Sequence, residues 1–190
     1  MDSLMNNDSG STVADLHTKR YYRNHGGFLW VDRHGLDHRA DTLLTYLQKV
    51  DEMGFKTKHF YVNQITQDLE KLHSLNLGEG NEDINHVMAR LEYRLTKSYL
   101  RYVGGQRFGF VNPSFVLNRL DSIAPNPYDS IKRAVRYRDL FDVKMQHASD
   151  AFFHLALQQL RSKVDVDGEE TEKSRLAAFL KDVQPKSPFY

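Results

Sequence analysis

The segment LEYRLTKSYLRY, residues 91–102, carries apolar side chains at steps of three and four residues. This spacing places the apolar side chains on one face of an α-helix. The face begins upstream and comprises Ile84, Val87, Met88, Leu91, Leu95, Tyr99 and Tyr102. We therefore predict a helix of about five turns, capped at its start by Asn81 or Asp83 and ended by the Gly104-Gly105 pair.

Segments on both sides of this helix show the same periodicity. Helices are predicted at about 37–53, 58–75, 113–123, 128–135, 148–163 and 171–183. The run Gly27–Val31 is the one short apolar stretch of β-forming residues, and we interpret it as a segment that packs Trp30 into the core. The segment 164–172 is acidic and contains glycine, so it is predicted to be a surface loop.

The predicted elements indicate an all-α protein, a single compact bundle of about seven helices with a polar N-terminal tail. Dividing the chain near its Pro125–Pro127 pair is less favourable, because the first half alone would leave long apolar faces uncovered. We predict a flexible tail over 1–14, a helical domain over 15–184 and the start of a linker to a following domain over 185–190. Residues 1–12 lack the basic start and the apolar run of a signal peptide.

The composition excludes several classes of function. The net charge of the 190 residues is +1 and no dense block of Lys and Arg occurs, so we predict no nucleic-acid partner. The chain has no cysteine, which excludes disulfides, thiolate metal sites and a cysteine nucleophile. No run approaches the roughly 20 apolar residues of a membrane-spanning helix.

No motif predicts a catalytic, cofactor-binding or metal-ligating residue. His34 and His38 have the spacing of two ligands on one helical face, but Gly35 lies between them and no third ligand follows in a known pattern. The glycines at 104, 105 and 109 lack the lysine of a phosphate-binding loop. Acidic pairs such as Glu169-Glu170 lie in a segment where a solvated surface is expected.

The chain is rich in aromatic residues, with eleven Phe and ten Tyr. Most of them recur with aliphatic residues at helical spacing, which favours core packing over a sugar-stacking surface. Tyr21, Tyr22, Phe28 and Trp30 are likewise interpreted as a nucleus on which the first helices pack. His154 is interpreted as a histidine at the surface or the edge of the core.

Two stretches resemble a known family. The first contains Tyr21-Tyr22, then Gly27–Val31 with Trp30, then Gly35-Leu36, a leucine-rich helix and Gly54-Phe55. The second is more specific and contains Leu91, Leu95, Thr96, Tyr99, Leu100, Arg101 and Tyr102, followed by Gly109, Val111 and Pro113. Both are similar to the helical scaffold domain of the large Gram-negative murein L,D-transpeptidases. The chain departs from that pattern at Phe55, Glu92 and Phe110, where the family has Leu, Asp and a basic residue.

The resemblance implies a division of labour. The family's catalytic domain carries a cysteine in a His-…-Ser-x-Gly-Cys motif, and this chain has no cysteine. The chain is therefore expected to be a non-catalytic, cofactor-free scaffold in the periplasm or cell envelope. Its expected partners are the catalytic and peptidoglycan-binding domains of a parent enzyme that forms 3→3 crosslinks, with peptidoglycan itself as a further candidate.

Two other functions fit the same residues. One is a peptidoglycan- or glycan-binding module that uses exposed Tyr, Phe or Trp side chains. The other is a free-standing helical adaptor that binds another protein through an exposed apolar face.

Overall fold

The computed structural model describes residues 1–10, 12–108, 150–161 and 168–184. Within these ranges the chain forms seven α-helices and one short hairpin, which confirms the predicted all-α bundle. The elements are α1 (Asp2–Asn6), α2 (Val13–Arg23), β1 (Val31–Asp32), β2 (Gly35–Leu36), α3 (Arg39–Gln48), α4 (Val62–His73), α5 (Ile84–Phe108), α6 (150–161) and α7 (Gly168–Asp182). The helices predicted at 113–123 and 128–135 and the linker predicted at 185–190 lie outside the described residues.

Helix α5 is the central element of the fold. Helices α2, α3 and α4 all pack against it, and α3 also packs against α7. The start of α5 is capped by Asp83, whose Oδ1 accepts a hydrogen bond from the backbone N–H of His86 at 2.8 Å. This confirms one of the two predicted caps, since a short side-chain oxygen can accept a free amide of the first turn.

The prediction that Gly104-Gly105 ends this helix was wrong, because α5 continues to Phe108. The structure gives Gly104 a packing role instead. A Cβ at this position would lie 2.6 Å from the ring of Phe153 on α6. Glycine therefore lets the two helices approach closely, and the close contact offsets the low helix propensity of glycine.

Replacing Gly104 by valine is expected to lower the free energy of unfolding by roughly 2 kcal/mol, because the added methyl groups would overlap Phe153. The measurement is a urea titration followed by circular dichroism. Gly27→Ala is the control, since a Cβ at Gly27 would meet nothing within 4 Å. Equal stability of the two variants would contradict the packing role of Gly104.

Several predicted boundaries shift for identifiable reasons. Helix α3 ends at Gln48 and gives way to a 3₁₀ turn over Val50–Met53, while Gly54 with φ of +82° terminates the segment as predicted. Helix α4 begins at Val62 rather than near 58, because Tyr61 adopts a left-handed conformation with φ of +55°. The predicted loop 164–172 was wrong from residue 168 onward, where α7 begins.

The N-terminal segment, predicted to be a flexible polar tail, packs onto the bundle in this structure. Met5 of α1 is buried against Tyr22 and Tyr93. Helix α2 starts with a capping box in which the Thr12 side chain accepts from the backbone of Asp15, and the Asp15 side chain accepts from the backbone of Thr12. This reciprocal pair satisfies two otherwise free amides and fixes where the helix begins.

Candidate functional site

The segment Gly27–Leu36 closes over α5 and is held there by Trp30. The side chain of Trp30 is fully buried, as predicted. Its indole Nε1 donates to the Thr96 hydroxyl at 3.0 Å. Its ring also packs edge-on against Tyr99, with ring centroids 6.1 Å apart. The indole therefore has its apolar body in the core and its one polar atom paired, which is the favourable way to bury tryptophan.

The carboxylate of Glu92 lies beneath this segment and accepts four hydrogen bonds. Oε1 accepts from the backbone N–H of Leu29 at 2.7 Å and from the hydroxyl of Tyr22 at 2.6 Å. Oε2 accepts from the N–H groups of Trp30 and Val31 at 2.8 and 3.0 Å. One side chain thus satisfies three consecutive amides, those of Leu29 and Trp30 buried and that of Val31 partly buried.

A chain of hydrogen bonds links these groups. The Trp30 N–H donates to the Thr96 hydroxyl, and that hydroxyl lies 2.7 Å from the Tyr22 hydroxyl, which donates to Glu92. Burial raises the pKa of Glu92, while the Tyr22 hydroxyl and the three amides act in the opposite direction. We call the set Tyr22, Trp30, Glu92 and Thr96, with the amides of 29–31, the α5 clasp.

Other residues of the 91–102 stretch each bind a different element. The Tyr99 hydroxyl donates to the Ala156 carbonyl of α6 at 3.1 Å. The Tyr102 hydroxyl accepts from Gln184, just beyond α7, at 2.8 Å. Leu91, Leu95 and Leu100 are fully buried in the core. The polar atoms of α5 therefore position the elements around it, and its apolar atoms fill the space between them.

A second polar cluster joins the N-terminal segment to α5. Arg101 forms a bidentate pair with Asp15, at 2.7 Å from Nε and 2.9 Å from the second guanidinium nitrogen. The Lys97 ammonium lies 2.6 Å from Asp8 and 3.7 Å from Asp15, and its side chain is only 2% exposed. Tyr93 donates a further hydrogen bond to Asp8 at 2.8 Å. We call Asp8, Asp15, Lys97 and Arg101 the ionic cluster.

The ionic cluster predicts a stability that depends on acid pH. Burial raises the pKa of Asp8, but the hydrogen bonds from Lys97, Gly10 and Tyr93 prevail and lower it from 3.8 to about 2. A carboxyl with a lowered folded-state pKa stabilises the fold above its ordinary pKa, and this contribution is lost as the pH falls through about 2. We expect Asp8→Asn to lose about 2 kcal/mol of stability at pH 7, and the difference to narrow between pH 4 and pH 2.

Urea titrations of both proteins across this pH range provide the measurement. Asp2→Asn is the control, because Asp2 is exposed and belongs to neither cluster. An Asp8→Asn protein whose deficit stays constant from pH 7 to pH 2 would argue against the role of the carboxylate charge.

The structure places the remaining predicted signature residues as follows. Gly35 lies in the hairpin with φ of +116°, a conformation that glycine adopts without strain, and it pairs with Asp32. Leu36 pairs with Val31 and is half-buried. Gly109, Val111 and Pro113 lie outside the described residues.

Several polar contacts of these two clusters were not predicted from the sequence, those of Glu92 and Lys97 among them. Tyr22 was expected only as an apolar core residue, and Asp15 and Asp8 lie in or beside a segment predicted to be loose. The Thr12-x-x-Asp15 spacing is the one signal that could have revealed the start of α2. The grouping of Phe28 with Trp30 was wrong, since the Phe28 side chain is 61% exposed.

The geometry of the α5 clasp and the ionic cluster is that of structural anchors. Glu92 and Thr96 are buried and already engaged, so neither faces a space that a substrate could enter. His34 lies in the turn of the hairpin and His38 precedes α3. In the described part of the chain, no group of three or more His, Asp or Glu side chains could hold a metal ion. The buried positions of Trp30, Tyr99 and Tyr102 also remove them from any sugar-stacking surface.

Comparison with known proteins gives one match. A family model described as "Scaffold domain" matches residues 16–163. The match includes both stretches on which the resemblance rests, and the family's description denotes a structural role. No curated protein and no solved structure matches the chain. Among the described helices, none is long and apolar enough to cross a membrane.

Proposed function

The chain belongs to the Scaffold domain family, and we propose that it is the scaffold of a peptidoglycan L,D-transpeptidase. In this role it supports and orients a catalytic domain that carries the cysteine nucleophile and a domain that binds peptidoglycan. The chemistry it serves is the formation of 3→3 crosslinks in the cell wall, and its location is the periplasm. The chain itself performs no step of that reaction.

The family match over 16–163 is the observation that carries the proposal. The resemblance of 91–113 to the transpeptidase scaffold adds the enzyme context. A scaffold must also be rigid, because a domain attached to packed helices is held more precisely than one attached to loops. The α5 clasp and the ionic cluster support such rigidity, since they bind the hairpin and the N-terminal segment to a single helix, and the hydrogen bond from Tyr99 to Ala156 adds α6.

Analysis of the cell wall tests the proposal. Deletion of the gene that encodes the chain is expected to lower the fraction of 3→3 crosslinked muropeptides, and the intact gene is expected to restore it. A gene carrying Glu92→Ala should restore it poorly, whereas one carrying Glu52→Ala, a change at an exposed glutamate, should restore it fully. The proposed location predicts the protein in the periplasmic fraction.

A separate assay tests the absence of catalysis in this chain. The purified 190 residues, incubated with tetrapeptide muropeptides, are expected to form no 3→3 dimer. Dimer formation by the chain alone, or an unchanged muropeptide profile after deletion of the gene, would overturn the proposal.

A further inference from the structure

A groove of about 390 Å³ lies between α2 and α6. It is lined by residues of α2, of α6 and of the turn that follows α2. The described lining residues are His17, Arg20, Tyr21, Asn24, His25, Gly26, Asp150, His154, Leu157 and Arg161. Its volume is within the usual range of small-molecule sites.

Two helical faces form the walls. On α2 and its C-cap the lining positions 17, 20, 21 and 24 follow a spacing of three and four residues, and on α6 the positions 150, 154, 157 and 161 follow the same spacing. Each set therefore lies on one face of its helix. Below the groove, the His17 ring packs on Phe153, with ring centroids 4.7 Å apart. This contact packs the α2 wall of the groove against a buried ring of α6.

The end of the groove is shaped by the turn after α2. Tyr21 donates from its hydroxyl to the Gly27 carbonyl at 2.8 Å. Gly26 lies directly over the Tyr21 ring, because a Cβ on Gly26 would be 2.5 Å from it. His25 adopts a left-handed conformation with φ of +55°, which brings its backbone around this corner. The turn thus closes tightly and leaves His25 at the rim.

The cationic side chains along the groove outnumber the acidic ones. Two arginines, Arg20 and Arg161, line it together with a single carboxylate, that of Asp150, and three histidines add ring nitrogens. Asp150 is engaged on the α2 side, where its Oδ1 lies 2.7 Å from His17 Nε2 and 3.6 Å from the Arg20 guanidinium. The guanidinium of Arg20 is more than half exposed, and Arg161 is exposed at the other end of the α6 face.

The charges of Arg20 and Arg161 affect the pKa values of neighbouring side chains. Burial and then the Arg20 charge lower the pKa of His17, against the opposing effect of Asp150. Burial raises the pKa of Tyr21, and the Arg161 charge acts against that increase. The whole chain carries a net charge of only +1, so the positive character is local to the groove and gives no general attraction for polyanions.

From this arrangement we propose that the groove binds a small ligand that carries an oxyanion, a carboxylate or a phosphate, and that Arg20 and Arg161 supply its guanidinium contacts. The planar guanidinium matches either oxyanion with paired N–H donors. The histidines and Asn24 supply further donors, and Leu157 offers an apolar surface to the rest of the ligand. Asp150 competes with the oxyanion for Arg20. The inference is independent of the proposed transpeptidase context.

Calorimetric titration of the full 190-residue chain tests this proposal. The probes are inorganic phosphate, acetyl-alanyl-alanine with a free carboxylate, and the same dipeptide with a neutral C-terminal amide. Binding of phosphate alone shows that the oxyanion of the ligand is a phosphate. Binding of the free dipeptide but not of its amide shows that it is a peptide carboxylate. Either result supports the site, and no binding of either anion overturns it.

Variants localise the binding. Arg20→Gln and Arg161→Gln are each expected to weaken it roughly tenfold, because each removes a charge-assisted contact. Arg23→Gln is the matched control, since Arg23 is an exposed arginine of α2 that does not line the groove. Asp150→Asn is expected to strengthen binding several-fold, a gain that a partly unfolded protein would not show. Equal affinities of the Arg20, Arg161 and Arg23 variants would overturn the assignment.

Discussion

Glu92→Ala is expected to lower the free energy of unfolding by roughly 3–5 kcal/mol. The change removes the only acceptor that the structure gives to the N–H groups of Leu29, Trp30 and Val31 among the described residues. It also deprives the buried Tyr22 hydroxyl of its strongest partner. Three backbone N–H groups would lose their acceptor, two of them fully buried, and leaving a buried donor unpaired costs the full desolvation penalty of that group.

The measurement is a urea titration read by circular dichroism and by the fluorescence of Trp30, the one tryptophan of the chain. Fluorescence reports on the hairpin directly, so local release of Trp30 would shift the emission to longer wavelength before the helices unfold. Glu52→Ala is the control, because Glu52 is exposed. A Glu92→Ala protein within about 0.5 kcal/mol of the wild type, the usual range for surface changes, would contradict the role of the carboxylate.

The Glu92→Asp variant separates the effect of the carboxylate charge from the effect of side-chain length. The resemblance places Asp at this position in the transpeptidase scaffolds, and the shorter side chain keeps the charge. In this chain the glutamate oxygens already lie 2.6–3.0 Å from four donors, so a side chain one methylene shorter loses contact with some of them. We expect Glu92→Asp to be less stable than the wild type but more stable than Glu92→Ala.

The apolar pattern of the sequence predicted the helices and their buried faces well. The spacing of Val87, Leu91, Leu95, Tyr99 and Tyr102 by three or four residues was sufficient to place α5 and its buried face, because helical periodicity follows burial directly. Gly54 was correctly identified as the stop of the segment for a similarly local reason, since a left-handed φ favours a residue without a Cβ, although the α-helix itself ends at Gln48 and a 3₁₀ turn precedes Gly54.

The hydrogen bonds and ion pairs of the fold could not be predicted, because the partners in each are distant in the chain. Glu92 binds amides more than 60 positions away, and Arg101 binds Asp15 across 86 positions. No local pattern distinguishes such buried charges from those of a solvated helix face. The prediction that Gly104 ends α5 was wrong for the same reason. Glycine within a helix can end it or can allow close packing of a second helix, and here the outcome depends on Phe153, which is remote in sequence.

Through these long-range contacts, the 91–102 stretch binds several elements of the fold to α5. Its side chains bind the hairpin through Thr96, α6 through Tyr99 and α2 through Arg101. Arg94, within the stretch, and Arg90, just before it, bind Asp68 of α4 at 2.7 and 2.9 Å. One helix therefore fixes the relative positions of elements that are separated along the chain, which is what a scaffold requires.

Asp15→Asn is expected to destabilise the protein by roughly 3 kcal/mol, because it leaves two cations short of a buried counter-charge. Asp15 is fully buried and pairs with Arg101, and Lys97 lies 3.7 Å away. Asparagine has nearly the same shape and can still accept from the Thr12 amide, so the loss reports on charge rather than packing. The control is Asp41→Asn, an exposed aspartate in the first turn of α3 that shares the helix-dipole environment.

Replacing Lys97 by methionine in the same protein turns the experiment into a double-mutant cycle. Methionine fills much of the lysine volume without its charge, so the double variant should lose clearly less stability than the sum of the two single losses. The coupling arises because removing either charge relieves the cost of leaving the other unpaired. Strict additivity, measured by urea titration of all four proteins at pH 7, would show that Lys97 and Asp15 do not stabilise each other.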